Sequence, residues 1–371
     1  MQPLSGIRVL DFSTLLPGPM ATLMLAEAGA EVIKIERPGI GEELRNYQPR
    51  FGDTSVSFAM LNRGKRSIAI DLKSPDAVKQ LTPLIESADV VVDQFRPGVM
   101  QRLGLSYESL EEINPRIIYC AITGYGQSGP KAQIAAHDLN YQAESGMLAI
   151  AAGADGAPVV PAALVADIAG GAYPAVINIL LALRARELSG RGCMIDVSMS
   201  DNLFTFLYWA IGIGTQTGQW PRPGAELLSG GSPRYQVYRT ADGKFIAAAP
   251  LEDKFWNNFC DLIGLPAAFR EDRKDPHAAK RAVAEIIARH SSTQWAKAFE
   301  GKDVCCCVVK SVEEAMHDPH FAGRGLFSRS VASDEDALPA VPVPIAPAFR
   351  DPHTELRYPS LGEANEMLGK D

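Results

Sequence analysis

A chain of 371 residues, 46% hydrophobic and 22% charged, has the composition of a globular protein, and its length predicts two domains. The net charge of −8 argues against nucleic acid as the main partner, because binding to a phosphate backbone requires a basic face. Six cysteines without the spacing of a disulfide framework or a zinc site predict a reducing, cytoplasmic location and no bound metal.

The first 125 residues alternate strand-like and helical segments. Strands are predicted at 7–12, 31–36, 67–72, 90–95 and 116–124. A helix is predicted in MATLMLAEAG after the first strand, and Ser74-Pro75-Asp76 marks the start of another. This alternation predicts an α/β fold with a mostly parallel sheet covered on both faces. The first turn, STLLPGP, lacks the pattern G-x-G-x-x-G, so a nicotinamide cofactor is not expected.

The middle of the chain is predicted to contain a long apolar helix. The sequence APVVPAALVA is strand-like and leads into IAGGAYPAVINILLALR at 168–184. That segment is short for a membrane span and contains Asn178 and a proline, so we expect a buried helix and no membrane insertion.

A second domain is predicted after residue 224. Two alternating segments around Asp242-Gly243 indicate a hairpin, and helices are predicted at 253–263 and 278–299. The run Cys305-Cys306-Cys307, flanked by valines, predicts a buried strand. We therefore expect a large domain from 1–200 and 335–371, a small α+β domain at 225–330, and linkers at 201–224 and 331–345, with an extended proline-rich segment at 339–347.

Three side chains are candidates for acid–base chemistry. His137, in AAHDLNYQAESG, lies near the start of a predicted helix, whose dipole favours a neutral imidazole that can accept a proton; capping or packing is the alternative. Asp167 lies where the strand-like segment meets the apolar helix, and an N-cap is the alternative. The following Gly170-Gly171 pair indicates that something approaches the backbone closely. Glu252 follows the second hairpin strand, and a surface helix start is its alternative.

Four cationic residues are candidates for binding an anion. Arg37, Lys73, Arg96 and Arg102 all fall at or just past the ends of predicted strands. Because open parallel sheets bind ligands at the carboxyl ends of their strands, this placement favours an anionic, nucleotide-like ligand. Solvated surface charge is the alternative for any one of them.

The chain resembles the class III CoA-transferase family (CaiB/BaiF type), and within it the α-methylacyl-CoA racemase branch. The resemblance runs nearly end to end, through LSGIRVLDFS, LPGP, GAEVIKIERPG, FRPGVMQRLGL, GYGQSGP, HDLNY, ADIAGG, GGSPRYQVYRTADGKF and LEDKFW. It implies a large Rossmann-like domain built from both chain ends, a smaller domain between them, and an interlocked homodimer.

The resemblance also implies roles for individual residues. His137 and Asp167 match the two acid/base residues of the racemase branch, and Glu252 matches the glutamate that supports the histidine. The expected CoA-binding set comprises the four cations together with Tyr125, Asp138 and Tyr141. Coenzyme A would be part of an acyl-CoA substrate, with no permanently bound cofactor.

Two reactions are open under this resemblance. In the first, His137 and Asp167 exchange a proton with opposite faces of the α-carbon of a 2-methyl-branched acyl-CoA, and backbone N–H groups at the start of the Asp167 helix stabilise the enolate oxygen. In the second, Asp167 is the nucleophile of a CoA-transferase and takes the acyl group as a mixed anhydride. A non-catalytic acyl-CoA-binding protein is a third possibility.

Three other positions bear on the choice between the two reactions. Transferases that resemble the formyl-CoA enzyme lack the histidine and carry a glutamine where this chain has Leu16. Because this chain has His137 and Glu252 and lacks that glutamine, the comparison favours proton transfer. The chain departs from the usual racemase pattern at Arg234, where an aromatic residue is common. It departs again after Glu252, which is followed by Asp-Lys-Phe-Trp instead of Pro-Gln-Phe-Tyr.

Overall fold

The computed structural model describes residues 2–153 and 156–369. The chain divides into two compact units. The first comprises Met1–Ser145, Ala162–Thr205 and Pro319–Asp371, and the second comprises Gly146–Pro161 and Phe206–Asp318. Most of the expected linker at 201–224 therefore belongs to the second unit, and residues 319–330 belong to the first.

The strands of the described residues are β1 Arg8–Asp11, β2 Glu31–Glu36, β3 Arg50–Phe51, β4 Thr54–Ser55, β5 Arg66–Ala69, β6 Val90–Asp93, β7 Ile118–Thr123, β8 Met194–Ser198, β9 Gln236–Arg239, β10 Phe245–Ala248, β11 Cys306–Val308, β12 Ser330–Ala332, β13 Ala337–Pro339 and β14 Glu355–Arg357. Six of them form one sheet in the first unit, in the order β5-β2-β1-β6-β7-β8, and every neighbouring pair is parallel. The predicted α/β fold with a parallel sheet is confirmed.

The α-helices are α1 Pro17–Glu27, α2 Val56–Asn62, α3 Ala77–Ser87, α4 Val99–Arg102, α5 Tyr107–Ile113, α6 Asp138–Glu144, α7 Met147–Ile150, α8 Tyr173–Ser189, α9 Met199–Asn202, α10 Tyr208–Thr217, α11 Asp253–Ile263, α12 Pro276–Ile287, α13 Ser292–Phe299, α14 Val312–Met316 and α15 Pro319–Gly323. Two π-helical turns, Ala166–Ala172 and Leu227–Gly231, and several short 3-10 turns complete the list of helical segments.

The core of the first unit lies on both faces of the parallel sheet. Strands β6 and β7 are buried at every position, as expected when helices cover both faces. Helix α3 buries Ala77, Leu81, Leu84 and Ile85, whose spacing forms one apolar stripe, and it packs with α5 on one face. Helices α1 and α8 contact each other and cover the opposite face.

The strand order reverses between β1 and β6. From β1 the chain first adds β2 and then β5 on one side, and it later returns to place β6, β7 and β8 on the other. At such a reversal the connections leave the sheet in opposite directions and open a crevice at the carboxyl ends of the two central strands. The topology therefore places a binding crevice beyond Asp11 and Asp93.

The second unit contains a three-stranded antiparallel sheet in the order β11-β10-β9. The predicted hairpin is present as β9 and β10, and Trp256, Phe259 and Trp295 from α11 and α13 pack behind it. The helix predicted at 278–299 is two helices, because the side chain of Ser291 caps a new helix start. The predicted strand is present as β11, but it lies at the sheet edge and leaves Cys307 exposed, so the prediction that it is buried is wrong.

Two expectations for the middle of the chain are also corrected. Residues 157–166 form no strand, and only a single bridge joins Ala152 to Pro158, since proline lacks the N–H that a ladder needs. The apolar helix is less buried than predicted, because α8 exposes Ile177, Leu180 and Leu181. With the π-helical turn before it, the helix Ala166–Ser189 is long and apolar enough to cross a membrane by length and composition alone, and 39% of its most apolar window is buried.

Candidate active site

A pocket of about 390 Å³ lies at the carboxyl ends of β1, β6 and β7, where the strand order reverses. Its walls come from the loops after these strands, the start of α6, the π-helical turn and the start of α9. The lining residues are Thr14, Leu15, Pro17, Gln94, Phe95, Arg96, Pro97, Ile122, Thr123, Gly124, Tyr125, Ala132, Ile134, Ala135, Ala136, His137, Asn140, Tyr141, Asp167 and Met199. His137 and Asp167, 30 positions apart in the sequence, thus line one pocket.

His137 is the N-cap residue of α6 and has an extended backbone, with φ −129° and ψ 177°. Its N–H donates to Oδ1 of Asn140 (3.0 Å), and the N–H of Asn140 donates to the carbonyl of His137 (2.8 Å). The main chain and the Asn140 amide therefore close the helix start. The residue is exposed, with its side chain on the pocket wall.

Asp138 joins the start of α6 to the turn that carries Asp167. Its buried carboxylate accepts the backbone N–H of Asp167 (3.0 Å) and the side-chain amide of Gln142 (2.6 Å). This bridge explains how the two candidate acid/base residues come to share a pocket. Asp138 was expected to contact CoA, but it does not line the pocket, and its carboxylate is used inside the protein.

Asp167 is the second residue of the π-helical turn Ala166–Ala172, whose N-cap is Val165, so Asp167 is not itself an N-cap. Burial raises the pKa of Asp167 to about 6, the nearby carboxylate of Asp138 adds to the rise, and His137 opposes it. At pH 7 roughly one molecule in ten therefore carries a protonated Asp167. A carboxyl group with this pKa can act as an acid or as a base near neutral pH.

The glycine pair after Asp167 is explained by packing within the chain. A Cβ on Gly170 would lie 2.5 Å from the carbonyl oxygen of Met199 at the start of α9, and the carbonyl of Gly170 accepts the side-chain amide of Asn202 (2.8 Å). The group that approaches the backbone is thus part of the protein.

The N–H groups that were expected to stabilise an enolate oxygen are also occupied. The N–H of Asp167 donates to Asp138, and that of Ile168 donates to the carbonyl of Leu164 (3.1 Å). These two N–H groups are therefore not free to bind an enolate oxygen. In the first turn of α6, which starts at the pocket wall, the N–H of Asn140 is also occupied, and the N–H groups of Asp138 and Leu139 have no acceptor among the described residues.

The loop after β1 is held by two buried lysines. Leu15, which lines the pocket, has φ 62°, a left-handed conformation that costs a leucine about 1–2 kcal/mol. On one side of it Nζ of Lys34 donates to the carbonyl of Ser13 (2.8 Å), and on the other Nζ of Lys65 donates to the carbonyl of Pro19 (3.0 Å). The lysines therefore fix both ends of a strained segment of the pocket wall.

Carboxylates balance these two ammonium groups. Asp11, at the end of β1, lies 3.0 Å from Nζ of Lys65, and Glu42 lies 2.5 Å from Nζ of Lys34. Burial alone would raise the pKa of Asp11, but the two lysines hold it far below its usual range. Burial lowers the pKa of Lys65 to about 8 against the attraction of Asp11. This cluster, together with the placement of Leu15, was not found in the sequence.

One further contact of the pocket wall was not predicted from the sequence. Oε1 of Gln94, in the loop after β6, accepts the N–H of Gly18 (3.0 Å) and so ties that loop to the start of α1. The position of Gln94 directly after a predicted strand is the sequence signal that could have identified this residue. Leu16 is the N-cap residue of α1 and packs against a small cluster that includes Phe58.

The two predicted tyrosines lie side by side in the pocket. The rings of Tyr125 and Tyr141 meet edge to face with centroids 5.2 Å apart, and the Tyr141 hydroxyl donates to the carbonyl of Ala136 (2.8 Å). Burial raises the pKa of Tyr141 to about 12. A Cβ on Gly124 would lie 2.5 Å from the Tyr141 ring, so the strand end must be glycine for the ring to fit.

The structure brings only one of the four predicted cations into the pocket. Arg96 lines it, whereas Arg37, Lys73 and Arg102 do not. All four are exposed: Arg37 directly follows β2, Lys73 lies beyond β5, and Arg102 ends α4. Within 2–153 and 156–369 there is no group of three or more His, Cys, Asp or Glu side chains arranged to hold a metal ion.

Glu252 belongs to the second unit, where it is the N-cap residue of α11. Arg234 fixes the residues on either side of it: its Nη1 donates to the carbonyl of Leu251 (3.0 Å) and to Oδ1 of Asp253 (2.6 Å). The same guanidinium makes two bonds to the buried carboxylate of Asp272 (3.0 and 2.8 Å). The two departures from the racemase pattern, at Arg234 and directly after Glu252, therefore belong together, because Arg234 forms an ion pair with Asp253.

The chain was compared with known proteins and structures. Residues 4–365 match the family model described as CoA-transferase family III. The chain is 35% identical to the alpha-methylacyl-CoA racemase of Homo sapiens, over 98% of this chain and 95% of that protein. It is 34% identical to the acetyl-CoA:oxalate CoA-transferase of Acetobacter aceti, over 100% and 95%.

Solved structures agree with this similarity. The crystal structure of Rv3272 from Mycobacterium tuberculosis, in its orthorhombic form, matches with a TM-score of 0.84 and 28% identity, covering 98% of each chain. A CaiB/BaiF family protein from Brucella suis matches with a TM-score of 0.82 and 28% identity, covering 98% of this chain and 97% of that one.

Proposed function

The chain belongs to CoA-transferase family III, and on that premise we propose that it racemises or epimerises a 2-methyl-branched acyl-CoA by proton transfer at the α-carbon. The observation that carries the proposal is that His137 and Asp167 line one pocket, with burial raising the pKa of Asp167 to about 6.

The chemistry follows from the thioester and from two groups of suitable acidity. A thioester carbonyl delocalises a carbanion at the α-carbon, so the α-proton is acidic enough for a side chain to remove. In one direction the imidazole of His137 takes the proton and the protonated carboxyl of Asp167 delivers one to the opposite face; in the other direction the roles exchange. The raised pKa of Asp167 supports both states near neutral pH.

The enolate oxygen needs hydrogen-bond donors, and the first turn of α6 supplies them in this proposal. The N–H groups of Asp138 and Leu139 have no acceptor among the described residues, and the positive end of the helix dipole lies at the pocket wall beside His137. Donors fixed before the reaction stabilise the developing charge without reorganisation.

Coenzyme A is the handle of the substrate in this proposal, and no resident cofactor takes part. Arg96 in the pocket wall, together with Arg37, Lys73 and Arg102 near the same sheet edge, would pair with its phosphates. Glu252 remains the proposed support of His137, with Arg234 holding its neighbours in place.

Deuterium exchange tests the proposal directly. The protein is incubated with a single epimer of a 2-methylacyl-CoA in heavy water, and deuterium at the α-carbon is measured by mass spectrometry. The wild type should incorporate deuterium, and His137→Ala and Asp167→Asn should both lose turnover. His277→Ala, which removes an exposed histidine from α12, should exchange like the wild type. Absence of exchange in the wild type would end the proposal.

A CoA-transferase is the second candidate, with Asp167 as the nucleophile. Two observations favour it: a relative of 34% identity carries a transferase name, and a carboxyl group with a pKa of about 6 is mostly ionised at neutral pH. Trapping of an Asp167 anhydride with hydroxylamine, together with thioester exchange that depends on an added carboxylic acid, would support transfer. Under this reaction His137→Ala should reduce turnover only modestly.

We also propose a homodimer, which the exposed apolar face of α8 supports. Ile177, Leu180 and Leu181 lie on the surface of the first unit, and contiguous apolar patches on soluble proteins commonly mark interfaces. Light scattering coupled to size-exclusion chromatography should give twice the mass of one chain. A monomer at micromolar concentration would contradict this proposal.

A further inference from the structure

A second cavity, of about 630 Å³, lies in the first unit and shares no lining residue with the candidate active site. It is formed by the N-terminal segment and by the chain between α15 and β14. Its lining includes Gln2, Arg324, Arg329, Arg350 and Asp351. Three arginines and one aspartate thus face the same cavity in a protein whose net charge is −8.

Arg329 is partly buried, with 15% of its side chain exposed. Its Nη1 donates to the carbonyl of Asp351 (2.7 Å), and its Nη2 lies 2.9 Å from Oε2 of Glu27. Nε of Arg329 is buried and has no hydrogen-bond acceptor among the described residues. A buried donor without an acceptor is unfavourable, so the guanidinium of Arg329 is not fully satisfied within the described part of the chain.

The other two arginines are not neutralised by carboxylates within the described part of the chain. Arg350 donates to two neutral carbonyls, those of Ile345 (2.7 Å) and Val343 (3.0 Å), which hold its guanidinium in place. The side chain of Arg324 is exposed and makes no hydrogen bond or ion pair to the described residues.

The carboxylates beside the cavity are already engaged. Glu27 accepts from Arg63 as well as pairing with Arg329, and Asp351 accepts the backbone N–H and the imidazole of His353 (2.8 and 2.7 Å). Four guanidinium groups, including Arg63, therefore stand against two carboxylates. The cavity and its surroundings carry an excess of about two positive charges.

We propose that this cavity is a binding site for a phosphate group, either free phosphate or the phosphate of a small monoester. A phosphate carries about −1.5 to −2 charges at pH 7, which matches the excess, and its oxygens suit the fork of a guanidinium. The volume lies within the range of small-molecule sites. The proposal does not depend on the reaction at the candidate active site.

The cavity has a structural connection to that site through α1. Glu27, which pairs with Arg329, is the last residue of α1, and Pro17, which lines the candidate active site, is its first. Eleven residues of helix separate the two regions by about 15 Å. Because of this separation, a phosphate bound at the arginines should leave the substrate pocket unoccupied. It should raise the melting temperature, because a ligand that binds only the folded state stabilises that state.

Calorimetric titration of the full-length protein with inorganic phosphate tests the proposal. The buffer is kept at constant ionic strength with chloride. Arg324→Gln removes a guanidinium that makes no internal contact, so the variant should melt like the wild type in chloride. Arg37→Gln is the matched control, because it removes an exposed arginine from the other predicted anion-binding edge.

The wild type should show saturable phosphate binding, and Arg324→Gln should weaken this binding at least tenfold. Arg37→Gln should still show the binding that Arg324→Gln loses. A second titration, with adenosine monophosphate, separates the two sources: tighter binding than phosphate indicates a monoester, and weaker binding indicates the free ion. The proposal is overturned if the wild type shows no saturable binding. It is equally overturned if Arg324→Gln binds like the wild type while Arg37→Gln loses binding.

Discussion

Replacing Asp167 with asparagine should stabilise the folded protein at neutral pH while removing its activity. Burial raises the pKa of Asp167 to about 6, with a further contribution from the Asp138 carboxylate. The folded state therefore disfavours the ionised form, which the unfolded chain carries without penalty. Asparagine has nearly the same shape and no charge to desolvate, so the variant removes this cost.

The size and the sign of the effect follow from the two pKa values. The folded chain holds the proton more tightly than the unfolded chain, whose Asp167 titrates near 3.8. Stability contributed by this group is therefore full at low pH, falls as the pH rises from 3.8 to about 6, and stays low above that range. The difference corresponds to at most about 3 kcal/mol, and partial exposure of the side chain lowers the expected gain to about 1–2 kcal/mol.

Urea unfolding followed by circular dichroism measures this gain. At pH 7.5 Asp167→Asn should be more stable than the wild type by about 1–2 kcal/mol, and at pH 4 the difference should shrink to a few tenths. Asp76→Asn, which changes an exposed aspartate before α3, should differ from the wild type by less than about 0.5 kcal/mol at both pH values. A variant that is no more stable than the wild type at pH 7.5, or equally stabilised at pH 4, would refute the reasoning.

Three other substitutions test separate parts of the site. Asp138→Asn keeps an oxygen for the N–H of Asp167 but removes the neighbouring charge, so the pKa of Asp167 should fall. The part of the pH–rate profile that reports the titration of Asp167 should then move to lower pH, and an unchanged profile would contradict this. Gly170→Ala places a Cβ 2.5 Å from a backbone carbonyl and should destabilise the protein by about 1–3 kcal/mol in urea, whereas wild-type stability would show that α9 can move away. Arg234→Gln leaves the buried carboxylate of Asp272 without its cation and should cost about 3 kcal/mol or more in the same assay; a loss below 0.5 kcal/mol would mean that this pair is not needed.

The parallel sheet was predictable because its strands are buried on both faces. Such strands are rich in apolar residues, as in β6, which begins with three valines. For EVIKIE, which also carries two glutamates and a lysine, the prediction and the structure agree at both ends. The same rule failed for Cys305-Cys306-Cys307, because the strand contains only the last two of these cysteines and lies at a sheet edge, where one side has no neighbour. Periodicity identifies a strand, whereas its place in the sheet depends on pairing that a single sequence does not display.

The site was predictable in its residue types and less so in its contacts. The likeness to a known family singled out His137 and Asp167, but the carboxylate of Asp138 that bridges them was assigned to the ligand. The glycines after Asp167 correctly indicated a close approach, and the structure identifies the partner as Met199, about 30 residues away. Contacts across such separations arise from the strand order, which the local pattern does not contain.

The proton on Asp167 connects the two proposed reactions. Proton transfer to the α-carbon uses the protonated carboxyl group and nucleophilic attack uses the carboxylate, and a pKa of about 6 populates both near neutral pH. Burial contributes most to this raised pKa, and Asp138 adds to it through its charge while it fixes the backbone of Asp167 through a hydrogen bond. The aspartate therefore does not select between the reactions. In the proposed racemisation the selection falls to His137: its imidazole offers a second proton acceptor in the same pocket, which an acyl transfer through Asp167 does not require.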